Sequence, residues 1–303
     1  MADGEITVAM AATRGYALHA AEVAWSARRA NGTGLPLRFV VAVEGQDDEE
    51  VQDALRALDM PGASFEAVPL WRLPLADEIR AAAKDGGYPA ATFAKLPLCD
   101  YAGGRALWLD CDVVLLDDGA LRLALEDQGA PVAAVPDAAC NMLESGEMAA
   151  TGAGTYFNAG VMVVDRARCR ELGVLAKYAG ALAAMKGRLK YADQTAMNAV
   201  FARGGIRPLG YRYNCVVKDL CQDPTRRVVS PACRNGVSVA HFAGGTAYWN
   251  DLQALPGGAE RKTGYPFALL QREMAANRAS LLEHMVRIGY SKRRLAALKG
   301  VLA

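Results

Sequence analysis

The stretch Ile6-Thr-Val-Ala-Met-Ala11, answered by Leu37-Arg-Phe-Val-Val-Ala-Val43, sets the fold class. Each is a short, partly β-branched apolar run, which reads as a strand buried on both faces. Thr13-Arg-Gly15 closes the first run, and the alanine-rich segment Tyr16 to Ala30 reads as a helix stopped by Asn31-Gly32. The acidic stretch Asp47 to Asp59 is predicted helical, with Val51, Leu55 and Leu58 on one face at i, i+4 and i+7. Phe65 to Leu70 reads as a third strand. Strand alternating with helix in this way predicts an α/β chain whose parallel sheet is covered on both faces.

The rest of the chain follows more loosely. Leu75 to Lys84 and Thr92 to Tyr101 are predicted helical, and Gly103-Gly104 turns the chain into the apolar strand Arg105 to Asp110. Val132 to Val135 and Phe157 to Asp165 read as strands, Arg168 to Met185 and Asp193 to Arg203 as helices. Residues 204–264 are rich in Gly, Pro and Asn, and Phe267 to about Leu302 is helical again. The simplest division is one domain over 1–264 with a helical C-terminal extension over 265–303.

Composition excludes several classes. With 34 Lys plus Arg against 33 Asp plus Glu in 303 residues, the net charge is +1, which argues against nucleic acid as the main partner. No run approaches the roughly 18 apolar residues of a membrane span. The acidic opening Met1-Ala-Asp-Gly-Glu5 lacks a signal-peptide layout, and the seven cysteines are scattered, so reduced thiols and a cytoplasmic location are expected. Cys215, Cys221 and Cys233 lack a close Cys-x-x-Cys pair, which disfavours zinc. Gly152-Ala-Gly154 lacks the flanking strand and helix of a dinucleotide fingerprint.

Chemistry concentrates in four places. In Leu107-Trp-Leu-Asp110-Cys-Asp112-Val-Val-Leu-Leu116, two carboxylates at i and i+2 share one face of a strand. Like charges buried together need a positive compensation, and a hard divalent ion supplies it; a polar turn after a buried strand is the bland alternative. Tyr156-Phe-Asn158-Ala159-Gly160 offers an amide donor and acceptor beside small residues, suited to sugar hydroxyls or to a simple strand cap. Asp193 reads as an N-cap, with Gln194 beside it at a helix start. His241 ends a short apolar strand before Gly244, and an imidazole added to two carboxylates suits Mn²⁺. His19 and His284 fall on predicted helices and carry no assigned role. The Asp110-Cys-Asp112 run also fits a haloacid-dehalogenase-like phosphatase with Asp110 as nucleophile, but that family carries its motif on the first strand and needs a later Gly-Asp strand end.

Taken in order, these blocks resemble glycosyltransferase family 8, the group that includes glycogenin and bacterial lipopolysaccharide galactosyltransferases. The matching blocks are Thr92-Phe-Ala-Lys95-Leu, Trp108-Leu-Asp110-Cys-Asp112, Tyr156-Phe-Asn158-Ala-Gly160-Val, Asp193-Gln194 with Asn198, and in part His241-Phe-Ala-Gly244 with Trp249. The resemblance spans about residues 5 to 250. It implies a GT-A fold, with a mainly parallel mixed sheet flanked by helices. It also implies a nucleotide-sugar donor, usually UDP-linked, Mn²⁺ (or Mg²⁺), and transfer with retention to a glycan, glycolipid or protein acceptor.

Carried over by residue, Asp110, Asp112 and His241 would hold the metal. Gln194, Asp193 and Lys95 would be catalytic, with Lys95 neutralising the diphosphate or contacting the sugar. Asn158, Ala159, Gly160, Asp137 and Gly244 would line the donor-sugar site, and Ala11, Thr13 and Tyr16 would hold the nucleoside. One departure stands out. The family ends its His block with Lys-Pro-Trp, and here Ala247-Tyr248-Trp249 stands instead. Lys262, Arg261, Lys218 or Arg212 would have to replace the missing cation, or donor binding differs.

Three function classes follow: the glycosyltransferase, the phosphatase, and a non-catalytic protein that binds sugar nucleotides. The tail adds an expectation. Arg287, Lys292, Arg293, Arg294 and Lys299 occur with no acid after Glu283, and Leu295, Leu298 and Leu302 share a helical face, which would suit peripheral contact with an anionic membrane.

Overall fold

A computed structural model of the chain describes residues 4–45, 49–217, 236–243 and 267–299. The first half alternates as expected: β1 (Ile6–Ala12), α1 (Ala17–Ala30), β2 (Leu37–Val43), α2 (Glu49–Arg56), β3 (Ala63–Pro69), α3 (Ala76–Gly86), α4 (Lys95–Ala102), β4 (Arg105–Leu109). Then come β5 (Val113–Leu115), α5 (Gly119–Leu125), β6 (Val132–Pro136), α6 (Ala138–Leu143), α7 (Ser145–Thr151), β7 (Phe157–Asp165), α8 (Arg166–Glu171), α9 (Val174–Ala184) and α10 (Ala192–Val200). The short strands β8 (Ile206–Pro208), β9 (Cys215–Val216) and β10 (Val239–His241) precede two C-terminal helices, α11 (Phe267–Arg287) and α12 (Lys292–Leu298).

Seven strands form one sheet in the order β3-β2-β1-β4-β7-β6-β8, with β7 antiparallel to both neighbours and the other pairs parallel. The chain runs outward from β1 to β3 and then returns to place β4 on the other side of β1. That reversal is where open α/β sheets leave a crevice at the carboxyl ends of their strands. A second sheet, β5-β10-β9, stands beside that crevice.

Alternation along the strands builds two cores. Val8, Met10, Phe39, Val41, Leu107 and Leu109 face α1, α2, α5, α11 and α12. Ala9, Val40, Ala42, Ala106 and Trp108 face α3, α4, α8, α9 and α10. Each large apolar side chain so buried contributes roughly 1.5–3 kcal/mol. The run Ala17 to Ala27 of α1 is buried on every side because the helix lies between the sheet and α11.

Three local expectations change. The helix predicted over Arg168 to Met185 breaks into α8 and α9 at Gly173, whose φ of 61° is a left-handed conformation. Thr92 to Tyr101 divides into a 3₁₀ turn, Ala90–Ala94, and α4; Pro97 is tolerated because the first helical turn has no use for its missing N–H. The leucine face of the tail is turned inward: Leu298 is fully buried and Leu295 packs against the same core. Leu302 lies outside the described residues. Among the described residues no helix is long and apolar enough to cross a membrane. Cys99, Cys111, Cys140, Cys169 and Cys215 are free and buried; Cys221 and Cys233 lie outside the described residues.

Candidate active site

A cavity of about 510 Å³ opens at the carboxyl end of β4. Lys95, Asp110, Asp112, Asp137, Asn158, Gly160, Asp193, Gln194 and His241, all singled out from sequence, line it. Two backbone features bring them together. In the first, β10 pairs antiparallel with β5, setting His241 opposite Val113, and the Phe242 N–H donates to the Asp112 carbonyl at 2.9 Å. In the second, the β6–β7 register jumps between Ala134↔Met162 and Val135↔Asn158, which excludes Ala159, Gly160 and Val161 from that ladder. Such a bulge frees backbone groups for other work. Ala159 N–H donates to Gln194 Oε1 at 3.1 Å, the Ala159 carbonyl accepts from Lys95 at 3.0 Å, and the Gly160 carbonyl accepts from the Asp110 N–H at 2.8 Å.

The acids and Lys95, the one buried ammonium among the described residues, form one cluster. Lys95 Nζ donates to Asp110 Oδ1 at 2.7 Å and lies 3.2 Å from Asp193 Oδ2. Its hydrogen bonds go to both Asp110 oxygens and the Ala159 carbonyl, so Asp193 Oδ2 is held by charge alone and is buried without a hydrogen-bond partner. Burial disfavours the Lys95 ammonium, but Asp110 and Asp193 outweigh burial and hold its pKa above the ordinary range. Burial pushes the Asp193 carboxyl up to about 6; Lys95 counters it and Asp110 adds to it. Trp108 Nε1 donates to Asp110 Oδ1 at 2.7 Å and fixes that carboxylate's direction. Asp193 is not the N-cap expected from sequence. Tyr191 occupies that position without a side-chain cap, and the Asp193 carboxylate turns inward to Lys95 because an opposite charge in a buried site outweighs a cap.

Asp110, Asp112 and His241 offer ligand atoms that all lie within 4.8 Å of one another, the grouping of this kind among the described residues. Asp112 Oδ1 is buried without a hydrogen-bond partner, 3.1 Å from His241 Nε2. Burial opposes charge on both groups, yet their proximity raises the His241 pKa and lowers that of Asp112. Gly160 makes room for the imidazole, since a Cβ there would meet His241 Cε1 at 2.1 Å. An orphaned carboxylate oxygen, a second carboxylate and an imidazole fit a divalent cation with mixed nitrogen and oxygen ligands.

Other expected residues are placed differently. Asp137 caps α6 through Cys140 N–H at 2.9 Å and accepts from Gln194 Nε2 at 3.0 Å and Asn158 Nδ2 at 3.3 Å. Gln194 is therefore pinned at both ends. Ala11, Thr13 and Tyr16 stand beside the cavity rather than on its lining: the Ala11 carbonyl accepts from the Cys111 thiol at 3.2 Å, and Tyr16 lies near enough to Asp112 to feel its charge. Arg212 is engaged with Asp117 at 2.6 Å. Gly244, Ala247, Tyr248, Trp249, Lys218, Arg261 and Lys262 lie outside the described residues.

The sequence reading assigned no role to Tyr88, Thr92, Glu144, Lys190 and Tyr191, which form the outer lining. Lys190 pairs with Glu144, and Tyr191 OH donates to Glu144 at 2.9 Å. Lys190 and Tyr191 lie one residue, Ala192, before the Asp193-Gln194 block, a usable signal; Glu144 carries none. Asn214, buried behind His241, was also missed in a stretch that sequence showed only as turn-rich.

Comparison with known proteins bears on the family and the fold. Residues 7–253 match the family described as Glycosyl transferase family 8. The lipopolysaccharide 1,2-glucosyltransferase of Escherichia coli (strain K12) is 29% identical over 160 residues, a match spanning 50% of this chain and 46% of that relative. Among solved structures, the galactosyltransferase LgtC in complex with donor and acceptor sugar analogs superposes with TM-score 0.66 at 23% identity, over 89% of this chain and 95% of that one. The bifunctional glycosyltransferase WbbM does so with TM-score 0.68 at 18% identity, over 94% of this chain and 52% of that one. The likeness in structure carries the GT-A-like fold, the family match carries the kinship, and the chain belongs to glycosyltransferase family 8.

Proposed function

We propose that the protein is a retaining glycosyltransferase that moves a hexose from a nucleotide-diphosphate sugar, UDP-linked, to a hydroxyl of a glycan, glycolipid or protein acceptor. The observation that carries this reading is the meeting of Asp110, Asp112 and His241 at the carboxyl end of β4, with one buried carboxylate oxygen left over. These three residues would hold Mn²⁺, or Mg²⁺ in its place. A divalent ion there supplies charge neutralisation to the departing diphosphate.

The chain's own residues do the rest. Lys95 keeps Asp110 and Asp193 in place and lends positive charge to the site floor. Gln194, held by Ala159 N–H and Asp137, presents a fixed amide, and Asp193, with its acidity weakened, is suited to accept a hydrogen bond from a sugar hydroxyl. Of the groups lining the site that could act as nucleophiles, Cys140 is held as the neutral thiol by burial, Asp193 is paired with Lys95, and Glu144 is engaged by Lys190 and Tyr191. The acceptor hydroxyl therefore attacks the anomeric carbon from the face the diphosphate leaves. The new C–O bond forms as the bond to phosphate breaks, and the hydroxyl proton passes to the departing phosphate oxygen. The outer lining of Tyr88, Glu144, Lys190 and Tyr191 would meet the acceptor.

A panel of nucleotide sugars, assayed with and without Mn²⁺ and read by NMR for the anomeric configuration of the product, tests this. Mn²⁺-dependent transfer or slow hydrolysis with retention is the expected result. Phosphate release from simple esters would make it a phosphatase, and thermal stabilisation by ligand without turnover a binding protein. The exposed cations Lys292, Arg294 and Lys299, with Val286 80% exposed, support peripheral contact with an anionic membrane at the cytoplasmic face. Unchanged binding to anionic liposomes after Lys292→Glu and Arg294→Glu together would dispose of that contact.

A further inference from the structure

The amides behind the metal ligands fix their own orientation. The Gly160 N–H, which is only a donor, points at Asn158 Oδ1 at 2.9 Å, so that atom is the amide oxygen. The other end of Asn158 faces the Asp137 carboxylate, which only accepts, at 3.3 Å. Asn158 Oδ1 also receives Asn214 Nδ2 at 2.8 Å, which commits the Asn214 NH₂. What remains of Asn214 is its carbonyl oxygen, and it faces His241 Nδ1 at 2.8 Å. Turning Asn214 over would set two oxygens against each other at Asn158. An amide oxygen only accepts, so His241 Nδ1 carries a proton. His241 Nε2 is then the nitrogen directed at Asp112 Oδ1, 3.1 Å away, and at Asp110 Oδ2, 4.0 Å away.

We infer that Asn214 is a positioning residue: it locks His241 in the Nδ1–H form and aims Nε2 at the divalent-cation site, with Asn158 relaying an orientation set by the Gly160 N–H and Asp137. This rests on the reading of Asp110, Asp112 and His241 as metal ligands. The placement suits the role. Asn214 is 2% exposed and His241 3% exposed, and Asn214 immediately precedes β9, which pairs with β10 at His241↔Val216. Partners of this kind behind a metal-binding imidazole fix both its tautomer and its direction.

The test is calorimetric titration of the metal-free protein with Mn²⁺ alone, on the wild type, Asn214→Ala and Asn214→Asp, with thermal unfolding of each. Asn214→Ala is expected to weaken Mn²⁺ binding by about 10–100-fold. Asn214→Asp keeps an oxygen at Nδ1 but cannot donate to Asn158, and is expected to bind within about threefold of wild type or tighter, since the group behind the imidazole still accepts. A merely structural asparagine would make both variants fall alike, and that result overturns the proposal, as does unchanged affinity in Asn214→Ala. Should Asn214→Ala not fold, ¹⁵N-histidine NMR of the Mg²⁺-saturated wild type decides. Only His19 and His284 share the spectrum, and an Nε2–H tautomer at His241 overturns the proposal. A wild type that binds no Mn²⁺ overturns the metal reading itself and this inference with it.

Discussion

The two ends of the central sheet handle charge in opposite ways. At the amino ends of β1, β2 and β4, Arg38, Arg105, Arg166 and Arg170 line a cavity of about 810 Å³. Each guanidinium there has its acid: Glu66 at 2.5 Å, Asp165 at 3.5 Å, and Asp100 at 3.4 and 2.7 Å. Arg105 Nε and Arg166 Nε lack hydrogen-bond partners, but Asp127 lies 3.9 Å from Arg105, so four guanidiniums face four carboxylates. At the carboxyl end, three carboxylates, Asp110, Asp112 and Asp193, share one buried ammonium and the His241 imidazole, and Asp112 Oδ1 and Asp193 Oδ2 have no hydrogen-bond donor. Matched charge ties β2, α4 and α8 together. Unmatched charge strains the fold and is kept where a cation can answer it. We therefore read the larger cavity as structural and the smaller as the candidate site.

That contrast can be broken by substitution. The largest effect is expected from Asp110→Asn, which should lower Mn²⁺-dependent turnover by about 10²–10³-fold, the scale on which a lost electrostatic contact to developing charge acts. Steady-state kinetics at saturating donor reads it. Next comes Gly160→Ala, whose new Cβ would overlap the His241 ring. Mn²⁺ affinity should fall by about tenfold or more, and stability by about 1–3 kcal/mol for overpacking. Calorimetry and denaturant unfolding separate the two losses.

Two smaller effects concern pH and have opposite signs. Burial raises the Asp193 carboxyl from 3.8 to about 6. A raised carboxyl stabilises the fold below its ordinary value, and that contribution is lost as pH rises through the raised one. The wild type should therefore gain stability relative to Asp193→Asn as pH falls from 7 to 5, measured as the difference in Tm. At the other end, the Arg170 hydrogen bond outweighs burial and holds the Asp100 carboxyl below its ordinary 3.8. Its contribution is present above 3.8 and lost as pH falls through the lowered value. Asp100→Asn should cost about 1 kcal/mol, a Tm drop of roughly 2–4 °C, at pH 7. The deficit should fade toward pH 3, and turnover should be unchanged.

What the sequence made legible follows from the range of each interaction. Strand periodicity is local, so β1, β2 and β4 could be read directly; the acids could be read as a pair, but Asp110 and Asp112 lie in the turn between β4 and β5 and not on one face of a strand. His241 was readable as a lone histidine at a strand end, but its partner strand β5 lies over a hundred residues earlier, so only the register reveals why it meets Asp112. The bulge at Ala159 to Val161 leaves no periodic trace, though it turns Lys95 and Gln194 toward the backbone. Asp193 was misread as a cap because its true partner, Lys95, is remote in sequence. Asn214 and Glu144 had no motif to carry them, since their roles exist only through contacts made on folding.

The central claim is that acidity at the carboxyl end of β4 is kept for a cation rather than for stability. Asp112→Asn tests it most directly, with Mn²⁺-dependent turnover of nucleotide sugar and the Tm with and without Mn²⁺ measured on the same preparation. The account predicts turnover lower by about a hundredfold or more, and a Mn²⁺-induced rise in Tm that the wild type shows and the variant loses. Turnover that persists at wild-type level, or a Mn²⁺-induced rise as large in the variant, would contradict the claim.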